Sequence, residues 1–129
     1  MGYDRTVRVH KDFATTVAAV REALAAEGFG VLTEIDVTAT LRAKLGVDME
    51  DYLILGACNP PLAQRALDID RAIGLLLPCN VVVRRDGDHT LVQAFDPTAM
   101  LALAGDATLE PVAREAAARL DAALASLRR

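Results

Sequence analysis

The sequence predicts a single α+β domain, a mainly antiparallel sheet with helices packed on one face. Three observations predict it. Apolar residues alternate at period two in some segments and recur at helical spacing in others. Asp86-Gly87 is a two-residue hairpin signal between two apolar runs. At 129 residues there is room for one core, not two. Composition agrees: 53% hydrophobic and 25% charged residues is the balance of an ordinary globule.

The elements follow in order. Thr6 to His10 alternates, with Val7 and Val9 inward, and predicts a first strand. Asp12 caps a helix carrying Phe13, Val17, Val20 and Leu24, and Gly28 ends it. Phe29 to Val37 alternates again, placing Phe29, Val31, Ile35 and Val37 on one face and Leu32, Glu34 and Asp36 on the other. Thr38 caps a short helix with Leu41 and Leu45, closed by Gly46. Tyr52 to Cys58 is apolar on both faces, which suits an interior strand. Asn59-Pro60-Pro61 is an N-cap followed by proline in the first turn, and its helix carries Leu62, Ala66, Leu67 and Ile69.

Leu75 to Leu77 leads through Pro78 into a strand beginning at Cys79. With Asp86-Gly87 as the turn, Arg84 faces His89, Val82 faces Leu91 and Asn80 faces Gln93. One face then holds Cys79, Val81, Val83, Val92 and Ala94 as core. The other mixes Asn80, Arg84, His89 and Gln93 with Val82, Leu91 and Phe95. Asp96-Pro97 starts a short helix through Met100, Leu101 and Leu103, broken by Gly105. A last helix from about Thr108 buries Val112, Ala116, Leu120, Leu124 and Leu127, and Arg128-Arg129 complement its dipole.

Charge narrows the function. Lys+Arg 14 against Asp+Glu 18 leaves −4 at pH 7, no basis for a general nucleic-acid binder or a polybasic membrane protein. Aromatics are 4% of residues and Trp is absent, so there is no stacking platform for single strands. The apolar run at Ile73 to Leu77 is far short of the roughly 20 residues a span needs. Met1-Gly2-Tyr3-Asp4-Arg5 has no apolar leader core, and two cysteines in such a chain are expected as reduced thiols in the cytoplasm.

Few constellations suggest chemistry. Ser126 is the only serine, and no phosphate-binding or dinucleotide glycine pattern occurs, so no cofactor is expected. His10, His89, Cys58 and Cys79 match a zinc inventory by count, but no C-x-x-C or H-x-x-x-H spacing supports a metal site. Cys58, before a proline-started helix, is the one candidate nucleophile. Its alternatives are a structural core thiol or a ligand contact. The mixed sheet face is either solvated, half of a homodimer contact, or a ligand cleft. Glu34-Asp36 and Arg84-Arg85 would suit two-fold docking there.

Two segments end alike, Leu55-Gly56-Ala57-Cys58-Asn59-Pro60 and Leu75-Leu76-Leu77-Pro78-Cys79-Asn80. With Asp96-Pro97-Thr98-Ala99-Met100 downstream, the chain from about Phe29 to the last helix resembles the Domain of Unknown Function 302 family. The resemblance implies a TATA-binding-protein-like fold (strand, helix, four strands, helix), often dimeric, and implies no activity. It marks Cys58, Asn59, Pro60, Pro78, Cys79 and Asn80 as motif positions. The expected protein is a cytoplasmic homodimer binding an unidentified small molecule through Cys58, Asn59, Cys79, Asn80, Arg84, His89 and Gln93. A structural or interaction module and a thiol enzyme or redox sensor using Cys58 are the alternatives.

Overall fold

A computed structural model describes residues 2–128, leaving Met1 and the Arg129 half of the expected dipole complement outside the described residues. Five strands form one antiparallel sheet in the order β1-β5-β4-β3-β2: β1 Asp4–Val9, β2 Gly30–Asp36, β3 Tyr52–Cys58, β4 Cys79–Asp86 and β5 His89–Phe95. The helices are α1 Phe13–Ala26, α2 Val37–Leu45, α3 Pro60–Ile69, α4 Ala99–Ala104 and α5 Glu110–Ser126, with short 3-10 turns at Arg71–Leu76 and Ala107–Leu109. The expected α+β class, with β3 interior, is what forms.

One sheet face is the core. Val7, Val9, Leu55, Val81, Val83 and Val92 are buried there with Val20 and Leu24 of α1 and Leu120 and Leu124 of α5. Alternation on each strand supplies the aliphatic row, and helical spacing supplies its cover. A second cluster, Leu62, Ala66, Ile73, Met100, Val112 and Ala116, joins α3, the first 3-10 turn, α4 and α5. No helix among the described residues is long and apolar enough to cross a membrane.

Three local expectations are corrected. The alternation of β2 breaks at a bulge between Val31 and Thr33. Ile35 therefore pairs with Ile54 on the open face and is 50% exposed, while Glu34 turns to the helix side and meets Arg21 of α1 at 3.1 Å. Asp36, not Thr38, caps α2, accepting from the Ala39 N–H at 2.9 Å. The Thr38 hydroxyl instead accepts from the Tyr52 N–H at 2.9 Å and donates to the Glu50 carbonyl at 2.7 Å. Glu34 and Asp36 are thus engaged elsewhere, and the proposed acidic half of a two-fold docking patch is lost.

The hairpin turn is Gly87-Asp88, with Asp86 opposite His89. Gly87 has φ +63°, the left-handed value required at the first central position of a type II′ turn. Register moves by two residues from the expected one, so Arg84 faces Leu91 and Val82 faces Gln93. A shift of two preserves every side chain's face. The mixed face keeps its expected members.

Candidate cleft on the open sheet face

Asn80, Arg84, His89 and Gln93 lie on the face that α1 and α5 leave bare. The strand period puts residues 80, 82 and 84 of β4 with 91, 93 and 95 of β5 on that side. Leu91 is nevertheless 5% exposed, because Arg8 and Arg84 flank it in register from both neighbours and their stems screen it.

At one end of this face the apolar run and α4 rise beside the sheet and enclose a cleft of about 580 Å³. Tyr52, Val82 and Phe95 form part of its floor, Leu75 and Leu103 its rim, and Asn80 and Gln93 its polar points. That volume suits a small organic ligand, for which clefts of roughly 300–1,000 Å³ are usual. Leu75 is 89% exposed and Leu103 68% exposed, so the apolar rim is bare.

A hydrogen-bond chain runs from Arg84, which lies outside the cleft lining, through Gln93, which is part of it. Arg84 donates from Nε to Gln93 Oε1 at 2.8 Å; Gln93 donates from Nε2 to the Thr6 hydroxyl at 3.2 Å. Thr6 in turn donates to Asp4 at 2.5 Å. The rest of the Arg84 fork has no partner among the described residues, and neither has the Asn80 amide.

The expected site does not form one cavity. Cys58, Asn59 and Cys79 line a separate apolar cavity of about 60 Å³ between the sheet end, α3, α4 and α5. That is space for a water or two, far below metabolite size. Pro78, preceded by a cis peptide bond, lines both spaces, as does Leu77. Asn59 is structural: its side chain accepts from the Leu62 N–H at 3.4 Å and donates to the Glu27 carbonyl at 3.4 Å. Both cysteines are free thiols. Burial, then the neighbouring Cys58, pushes the Cys79 thiol up to about 11, so it is protonated at neutral pH. No His, Asp or Glu lines this cavity, so Cys58 has no base there.

His89 sits at the opposite end of the open face. Its Nδ1 lies 2.8 Å from Asp88 and its ring meets His10 edge-on, 4.3 Å between centroids. It belongs to neither cavity. Among the described residues no group of three His, Cys, Asp or Glu side chains could hold a metal ion.

Sequence reasoning missed Tyr3, Tyr52, Leu75 and Leu103 as cleft residues. A usable signal existed for Leu75: three successive leucines in a short turn cannot all face one core. Leu103 carried none: it lies three residues from buried Met100, a spacing that predicts the same face, yet it is exposed.

The model of a family described as "Domain of unknown function DUF302" matches residues 5–127, a longer stretch than the motifs had marked. A crystal structure of an uncharacterized conserved DUF302 protein from Bacillus stearothermophilus is similar throughout. Its TM-score is 0.93 at 33% sequence identity, covering 99% of this chain and 100% of that one. No curated protein matches this chain.

Proposed function

The chain belongs to the DUF302 family, which carries no established activity, and we propose that it is a small-ligand-binding domain whose site is the open-face cleft. One observation carries this reading: a cleft of about 580 Å³ joins aromatic and aliphatic walls to an Asn80 amide that no described residue engages. A few oriented polar groups in an otherwise apolar concavity are the usual make-up of a small-molecule site.

Screening isotope-labelled protein against a fragment library by NMR tests it. Fragments should shift the side-chain amides of Asn80 and Gln93, and Val82→Trp, which fills the floor, should abolish those shifts without lowering the unfolding midpoint by much. Fragment hits that leave both amides unmoved would refute the cleft as the site.

Homodimerisation through the same face is a second reading, favoured by the bare Leu75 and Leu103 rim. Sedimentation should then report a dimer that Leu103→Asp dissociates; a dimer unaffected by Leu103→Asp and Arg84→Glu places the contact elsewhere. Cytoplasmic residence is the setting in which two free thiols persist. Catalysis by Cys58 has no supporting geometry in its apolar cavity.

A further inference from the structure

We propose that the ligand of the open-face cleft is an amphipathic monocarboxylate, its carboxylate on Arg84 and its hydrocarbon body along Tyr52, Val82 and Phe95; the assignment rests on the cleft being the binding site. Arg5, Arg8, Arg21, Arg42, Arg65, Arg71, Arg114 and Arg119 each have a carboxylate within 4 Å. Among the described residues Arg84, Arg85 and Arg128 do not. Arg85 is engaged with the Lys11 carbonyl at 3.4 Å and the Thr90 hydroxyl at 3.1 Å, and Arg128 is exposed after the last helix.

Arg84 is different. It stands just outside the cleft lining, in register beside Tyr52. It is half-buried, and its Nε is fixed on Gln93 at 2.8 Å, which holds the guanidinium at the cleft's edge while leaving its terminal N–H groups available. Gln93 itself lines the cleft and is held from behind by Thr6 at 3.2 Å. A planar fork positioned in this way matches the two oxygens of a carboxylate. Charge count sets the valence of the anion. Arg8, the other arginine flanking Leu91, is paired with Asp86 at 3.3 Å. One unpaired cation suits one negative charge; a phosphate dianion would be left half-compensated. The Asn80 amide, farther along the same strand, can serve a second polar group on the body.

Isothermal titration of the full chain with sodium octanoate, octanamide and octyl phosphate tests the class, with amide shifts at Gln93 and Asn80 locating the site. Octanoate should bind at least about tenfold more tightly than octanamide, the factor expected of a charge-assisted pair. Arg84→Gln should erase that preference while octanamide still binds, and Gln93→Leu should reduce it severalfold. Equal binding of octanoate and octanamide by the unaltered protein, a preference that survives Arg84→Gln, or tighter binding of octyl phosphate would overturn the carboxylate assignment while leaving the cleft intact. Failure of all three to move Asn80 or Gln93 would overturn the cleft itself.

Discussion

Cys58-Asn59 and Cys79-Asn80 are the same dipeptide at the ends of two apolar runs, and the fold treats them in opposite ways. In the first pair the asparagine is buried and bonded, closing the start of α3 and tying it to the Glu27 carbonyl. In the second the cysteine is buried and the asparagine projects into the cleft without a partner among the described residues. The difference comes from position. Asn59 follows a strand and caps a helix, whereas Asn80 is the second residue of a strand, where alternation throws it to the face opposite Cys79. A motif string thus reports a backbone path in one place and an available functional group in the other.

The sharpest way to break the comparison is through the two faces themselves. Leu55 and Ile54 are adjacent on β3 but point to opposite sides, Leu55 fully buried and Ile54 half-exposed. Leu55→Ala should cost about 2–5 kcal/mol in urea unfolding, Ile54→Ala about 1 kcal/mol. Similar losses would mean that the open face is covered in solution. Gly56→Ala should come next, at about 1–3 kcal/mol. An added Cβ would approach the Thr33 hydroxyl and come within 2.9 Å of Cγ of Pro78, a residue that lines both cavities. Unchanged stability in that variant would show that Thr33 and Pro78 yield freely.

Cys79 supplies a pH test of the closed side. Its thiol is raised by burial from 9.0 to about 11, so the folded state prefers the proton more than the unfolded chain does. The resulting stabilisation is complete below about pH 9 and is lost as pH rises toward 11. Between those limits the unaltered protein should lose on the order of 2 kcal/mol more than Cys79→Ala does. Parallel pH profiles for the two proteins would refute burial of the thiol.

The fold was legible because its signals are local. Asp12, Gly28, Gly46, Asn59-Pro60 and Gly105 mark helix ends through their own backbone preferences, and Val81, Val83 and Val92 declare the core by alternation. Part of the candidate site was legible for the same reason: a hairpin register displaced by two residues still leaves Asn80, Arg84 and Gln93 on one face. What escaped was non-local. The bulge in β2 depends on how Thr33 meets Gly56 across strands, and no property of Ile35 or Glu34 alone reveals it. The cleft depends on the Leu75 turn and α4 standing beside the sheet, which no local pattern in either segment declares.

The smallest expected effect bears most directly on the paired motifs. Asn59→Ala removes an N-cap and leaves the Leu62 N–H without its side-chain acceptor, so stability should fall by about 1–2 kcal/mol. Asn80→Ala removes a side chain with no partner among the described residues and should change stability by no more than about 0.5 kcal/mol. Denaturation midpoints of the two variants, measured side by side, decide the matter. If Asn80→Ala costs as much as Asn59→Ala, Asn80 is holding the fold together, and an amide engaged in architecture is not free to meet a ligand.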